Sequence, residues 1–259
     1  MRVLGIFAHP DDETILIGGT LAMLTSHGAE LHILSATRGE GGELGEPPLA
    51  KRHQLGDIRA AELHCAVQAL GGHDVSFLGY EDPTIDVGEE GLAFEADPAI
   101  LRAEIQAQIS NFDPDAVITH GSNGEYGHPA HVFIHQSVLA AAQGSACCVY
   151  GISAQFERHP RPRLANQDDP AHLVLDIEPW IDQKIAAARC HRTQKALFVR
   201  RSSQKAGRRL DLEQVLMRQE SLHRFQPQNS EAIHDPLSQF IQSRCGRALL
   251  YVDPDVIKG

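Results

Sequence analysis

Four short apolar runs, Val3–Phe7, Leu31–Ala36, Val75–Leu78 and Ala116–Thr119, alternate with helix-length segments through residues 1–145. Their length and aliphatic content suit strands buried on both faces. The segments Thr14–His27, Leu49–Leu70 and Pro98–Phe112 separate the runs, and Pro129–Ala142 follows the last. Gly28 and Gly71-Gly72 mark helix ends. Repeated alternation of this kind predicts parallel strands joined by right-handed crossovers. The expected fold is α/β, a Rossmann-like sandwich with a mostly parallel central sheet flanked by helices.

In open sheets of this type, ligands collect at the carboxyl ends of the strands. Behind the first run stands Ala8-His9-Pro10-Asp11-Asp12-Glu13, a histidine and three acids where a strand gives way to a helix. Behind the fourth run comes Tyr126-Gly127-His128-Pro129-Ala130-His131. Thr37–Glu43 is a glycine-rich loop on the same edge, without the lysine of a phosphate-binding loop, and reads as a flexible rim. Gly79-Tyr80-Glu81-Asp82 falls on that edge too.

Residues 146–259 are less regular. Cys148–Gly151 and Leu173–Ile177 read as strands, Ile181–Gln194 as a helix and His159–Pro170 as a proline-rich loop. The basic stretch Arg200–Arg209 reads as an exposed loop. The 259 residues suit one domain, with 1–145 its regular core and 146–259 completing the sheet and rimming the pocket. A net charge of −11 argues against nucleic-acid binding. No apolar run is long enough to span a bilayer, and no signal peptide is visible. Five cysteines, Cys65, Cys147, Cys148, Cys190 and Cys245, form no C-x-x-C pair and read as reduced thiols of a cytoplasmic protein.

A catalytic zinc site offers three protein ligands and one open position. His9 and one of Asp11 or Asp12 can supply two of the ligands. The other aspartate can then take a proton from a water whose pKa the metal lowers towards about 7. The third ligand comes from the second cluster, where Pro129 suits the first helical position. His128 then sits at the helix entrance and His131 in its first turn. Paired aspartates before a helix are also ordinary caps, and His-x-x-His alone is a weak signal. The joint occurrence of the two clusters behind buried strands is far more specific. His27, His53, His64, His135 and His223 read as structural or surface residues.

The residues that carry this reading resemble the PIG-L/LmbE-like family of metal-dependent N-acetyl deacetylases. They are Ala8–Glu13, Arg38-Gly39-Glu40, Arg59 with Glu62, Asp82 and Tyr126–His131. Lys184 with His191-Arg192-Thr193-Gln194 is a weaker echo. The resemblance covers the first 135 residues well and the remainder thinly. It implies His9, Asp12 and His131 as metal ligands, Asp11 as general base and His128 as stabiliser of the oxyanion. Arg59, Asp82 and Tyr126 would face the substrate. The implied metal is zinc, although two histidines and one carboxylate also suit ferrous iron. Many members carry Asp where this chain has Ala130, and Glu125 is the candidate to take over that acid's work on His128.

The reaction implied is hydrolysis of an N-acetyl group from an amino sugar or small glycoside, giving acetate and a free amine. Family substrates imply a soluble small molecule here, and relatives form homo-oligomers. One alternative is an amidase acting on a glycoside–thiol conjugate at the same metal site. Another is a non-catalytic sugar- or nucleotide-binding module. The nucleotide version conflicts with the first turn, where His9-Pro10-Asp11-Asp12 replaces a glycine fingerprint and would repel pyrophosphate.

Overall fold

The computed structural model describes residues 1–84, 92–227 and 235–252. In chain order, β1 (Arg2–Phe7), α1 (Asp12–Ser26), β2 (Glu30–Thr37), α2 (Leu55–Ala69), β3 (Asp74–Tyr80), α3 (Pro98–Phe112), β4 (Ala116–Thr119), α4 (Pro129–Ala142) and β5 (Cys148–Ile152) alternate as expected. The five strands are parallel and lie in the order β3-β2-β1-β4-β5. The helix starts follow local chemistry. Asp97 accepts the N–H groups of Ala99 and Ile100, and Pro98 takes the first turn of α3. Pro129 does the same for α4, capped by His128.

The less regular half adds β6 (Ala154–Gln155), β7 (Asn166–Pro170), β8 (Leu173–Asp176), α5 (Ile181–Cys190), α6 (Lys195–Ala206), β9 (Gln219–Gln226), α7 (Pro236–Cys245) and β10 (Leu249–Val252). β9, β8 and β10 extend the sheet beyond β5 by antiparallel pairing, giving eight strands, while β6 and β7 form a separate parallel pair. Alternate residues of β1 serve opposite cores. Val3 and Phe7 pack with Ile17, Leu21, Leu63 and Ile185 on the face covered by α1, α2 and α5. Leu4 and Ile6 pack with Leu101, Ile105, Ile134 and Val138 on the face covered by α3 and α4. Among the described residues, no helix is long and apolar enough to cross a membrane.

Several expectations are corrected. Cys65 and Cys190 form a disulfide between α2 and α5, whereas Cys147, Cys148 and Cys245 are buried free thiols. Arg200–Arg209 is mostly helix, because α6 runs from Lys195 to Ala206 before Gly207 ends it at φ +63°. The helix expected over Ile181–Gln194 stops at Cys190, and His191, Thr193 and Gln194 turn their side chains towards buried partners. The last residues of the expected His159–Pro170 loop form β7. The helix expected from Leu49 begins at Leu55, after a 3₁₀ turn over Arg52–Gln54. The glycine-rich loop after β2 is tied down rather than loose. Arg52 donates to the carbonyls of Glu40 and Gly42, Arg59 to that of Gly39, and Arg200 to the Glu43 carboxylate.

Candidate metal centre and catalytic site

β1 and β4 are neighbours, so the two polar clusters emerge side by side at the carboxyl edge. The Ala8 N–H donates to His120 Nε2 at 3.0 Å, joining the two strand ends. Asp11 adopts φ +111°, a left-handed conformation that an L side chain rarely takes, and this turns the chain into α1. Asp12 then opens the helix, and its Oδ2 accepts the His9 N–H at 2.9 Å.

Ligand atoms of His9, Asp12 and His131 lie within 4.8 Å of one another, and all three residues are buried. His9 Nδ1 is 3.4 Å from Asp12 Oδ2, and His131 Nε2 is 3.3 Å from Asp12 Oδ1. His131 Nδ1 lies 2.6 Å from Glu125 Oε2. With the Nδ1 proton donated there, the neutral ring directs its Nε2 lone pair at Asp12. That Nε2 is buried and has no hydrogen-bond partner. A bare lone pair facing a carboxylate oxygen is unfavourable unless a cation or proton lies between them. The donor set of two imidazoles and a carboxylate therefore fits a divalent metal of zinc type. The acids around the site draw positive charge to the two imidazoles, whether a metal or a proton supplies it. Burial opposes charge on His131, yet Asp12 and Glu125 outweigh it and push the ring up to about 10. Burial likewise opposes charge on His9, and Asp12 and Asp82 push it up to about 9.

Glu125 is a positioning carboxylate for the centre, although not for the histidine expected. It bonds His131 and His120, the latter at 3.0 Å, and is itself fixed by the N–H of Gly121 and the amide of Asn166. His128 Nδ1 instead accepts the Ala130 N–H at 3.3 Å. Glu125 holds φ +61°, the second strained non-glycine residue at this edge. His120 and Glu125 also converge with His131 as a potential ligand group. Both His120 nitrogens are already engaged there, so that group serves as support. Substituting Glu125→Gln is expected to weaken metal binding by roughly 10- to 100-fold, the usual effect of losing such a partner. Competition with a chelator of known affinity checks this; unchanged affinity would remove Glu125 from the centre.

Asp11 stands beside His9, Asp12 and His131. Burial pushes its carboxyl up to about 6, with Arg59 opposing and Asp12 reinforcing, which suits a base near neutral pH. Arg59, expected at the substrate, is only 3% exposed and spends its guanidinium on the protein. It donates to the carbonyls of Gly39 and Pro10 and, at 3.0 Å, to Asp11 Oδ2. Burial and the neighbouring His131 and His9 push His128 down to about 3, so its ring is neutral with the proton on Nε2. That ring stacks on His131 and meets His9 edge-on. Asp82 Oδ1 is 3.3 Å from His9 Nε2. Tyr126 is 58% exposed, its ring edge-on to His128 and His131 at the mouth of the site.

His120, Glu13 and His191 take part without having been singled out for these positions. His120 follows β4 directly, a placement that could have drawn attention to it. The contact between Glu13 Oε1 and His191 Nε2, at 2.9 Å, joins residues 178 apart, and no local pattern announces it.

A sequence profile described as "PIG-L: GlcNAc-PI de-N-acetylase" matches residues 4–142. The chain belongs to the PIG-L family. A 1D-myo-inositol 2-acetamido-2-deoxy-alpha-D-glucopyranoside deacetylase of Rhodococcus erythropolis is 38% identical over 237 residues, spanning 74% of this chain and 81% of the relative. The enzyme of the same name from Mycolicibacterium vanbaalenii is 30% identical over 228 residues, spanning 74% and 80%. Among solved structures, N,N'-diacetylchitobiose deacetylase from Pyrococcus horikoshii superposes with a TM-score of 0.60 at 18% identity, covering 86% of this chain and 83% of its own. GalB, the 4-carboxy-2-hydroxymuconate hydratase from Pseudomonas putida KT2440, gives 0.60 at 20% identity, covering 88% and 97%. These two structural likenesses show that the chain shares their fold. A hydratase on the same fold shows that the reaction has to be argued from the site.

Proposed function

We propose that this PIG-L protein hydrolyses the N-acetyl group of an amino-sugar glycoside, using a metal, zinc in the first instance, held by His9, Asp12 and His131. The observation that carries the reading is the unpartnered Nε2 of His131 facing Asp12, with Asp11 and His128 beside it. A bound metal would polarise the amide carbonyl and make water a stronger acid. Asp11 takes the proton of the attacking water, its carboxylate oriented by Arg59. The His128 Nε2–H donates to the carbonyl oxygen as negative charge grows there. Because His128 resists a second proton, Asp11 is the residue that returns the proton to the leaving amine. Tyr126 and Asp82 line the approach and would meet the sugar.

The named relatives make an N-acetylglucosamine α-linked to inositol the first substrate to try. Ferrous iron is the alternative metal. The Cys65–Cys190 bond removes the argument from reduced cysteines for a cytoplasmic protein.

The test pairs elemental analysis with turnover. The parent is expected to hold about one zinc or iron per chain, and Asp12→Ala to lose it. Only the parent should release acetate from N-acetylglucosaminyl-inositol or diacetylchitobiose. Turnover confined to an amide in a glycoside–thiol conjugate would favour the amidase alternative. A parent that binds no metal after reconstitution would overturn the hydrolase reading.

A further inference from the structure

We propose that Glu13 and His191 form a positioning pair that holds the Asp11 backbone in its catalytic conformation, a role resting on the deacetylase reading above. Asp11 carries φ +111° and ψ −26°. A non-glycine residue stays in such a conformation only where its surroundings over-determine it. Each handle of Asp11 is indeed engaged. Its carbonyl accepts the N–H groups of Thr14 and Ile15, and its Oδ2 accepts from Arg59. Its N–H donates to Glu13 Oε2 at 2.9 Å.

Glu13 is fully buried, and its second oxygen, Oε1, is fixed by the Thr14 hydroxyl and by His191 Nε2 at 2.9 Å. A buried carboxylate needs such partners to keep one orientation. His191 is equally buried and arrives on a short segment that is anchored at both sides. The preceding Cys190 is bonded to Cys65 on α2. The following Thr193 gives its N–H and hydroxyl to Glu62 on α2, at 2.9 and 2.7 Å. Gln194 donates to the Glu43 carbonyl in the loop after β2. The later half of the chain thus presents one rigid imidazole to the back of the catalytic turn.

The side-chain hydrogen bonds of the pair go to the Asp11 N–H, to Thr14 and to each other, and none goes to His9, Asp12 or His131. Asp12 is oriented separately, through the His9 N–H. Losing His191 should therefore release the Asp11 backbone while leaving metal binding in place.

The test compares metal-loaded parent, His191→Phe and His191→Gln. Glutamine can still donate to Glu13, whereas phenylalanine cannot. The Asp11 amide is expected to exchange with solvent about tenfold or more faster in His191→Phe, and close to the parental rate in His191→Gln. In the same variant kcat should fall roughly 10- to 100-fold, with KM and metal content within about twofold of the parent. His191→Gln should recover most of that loss. Unchanged Asp11 exchange in His191→Phe would overturn the proposal. So would retained kcat with altered KM or metal content, or a folded His191→Gln as impaired as His191→Phe. If His191→Phe does not fold, His191→Asn, polar but too short to reach Glu13, takes its place against His191→Gln. A parent with no amidase activity would defeat the functional reading alone, because the exchange comparison still decides whether His191 holds Asp11.

Discussion

Asp11→Asn is expected to lower kcat by about three orders of magnitude, within the range a positioned general base contributes, with metal content unchanged. The substitution is close to isosteric. Its side-chain oxygen can still accept from Arg59, and its N–H can still reach Glu13. What disappears is the ability to take a proton at a carboxyl pushed up to about 6. Because Asp11 is not one of the three converging ligand residues, the metal should stay bound. Steady-state kinetics on an acetylated amino sugar, run beside elemental analysis, separates the two roles. A kcat within tenfold of the parent would assign the base to another residue, and loss of the metal would make Asp11 a ligand.

The second large effect lies away from the chemistry. Lys184→Met is expected to cost about 3–5 kcal/mol of stability, the usual loss when one member of a buried ion pair is removed. For a chain of this size that corresponds to a fall in Tm of roughly 10 °C. Lys184 Nζ and Glu220 Oε1 are 2.6 Å apart, and neither side chain has any exposed surface. Glu220 also accepts the N–H groups of Gly19 and Thr20, so this one pair ties α5 and β9 to the middle of α1. Without the ammonium, Glu220 is left charged in an apolar interior, or must take up a proton. Adding Glu220→Gln to Lys184→Met removes that stranded charge and should recover more than half of the loss. Thermal unfolding of the parent and the two variants checks both statements, and a single variant that melts with the parent would show the pair to be energetically idle.

The elements that were legible are those whose boundaries are written locally. α3 and α4 fall on the residues expected, because Asp97-Pro98 and His128-Pro129 announce their starts. The five parallel strands contain short apolar runs, and β1, β2, β4 and β5 are largely buried on both faces as their composition states, whereas β3 at the sheet edge is only half-buried. β9 gives no such signal. It buries Glu220 and Ser221, whose partners Lys184 and the Ala154 carbonyl are remote in sequence, and Arg224, which pairs with Asp235 beyond the strand's end. In Arg200–Arg209 the run of charge obscured a surface helix whose core contacts, Phe198 and Val199, come just before that run.

The site divides in the same way. His9, Asp11, Asp12, His128 and His131 stand in two compact motifs, and the adjacency of β1 and β4 joins them. The partners that aim these groups come from elsewhere. Arg59 was expected at the substrate, and only its burial and hydrogen bonds show that it faces Asp11. Glu125 was in view, yet it serves His131 and His120 rather than His128 because the intervening loop doubles back at Gly124 and Glu125, both at positive φ.

The Cys65–Cys190 bond closes residues 65–190 into a covalent ring with a free tail at each end. The ring owns β3, β4, β5 and β8; the leading tail owns β1 and β2, and the trailing tail β9 and β10. In the finished sheet, β1 and β2 fill the space between β4 and β3, and β9 fills the space between β5 and β8. The ring by itself is therefore a sheet with two missing panels, and each tail must slot into its own opening. The residues of the candidate site are partitioned along the same seams. His9, Asp11 and Asp12 ride on the leading tail, His128 and His131 on the ring, and His191 on the trailing tail. An oxidised chain thus brings these six residues together only when all three topological pieces have closed on one another.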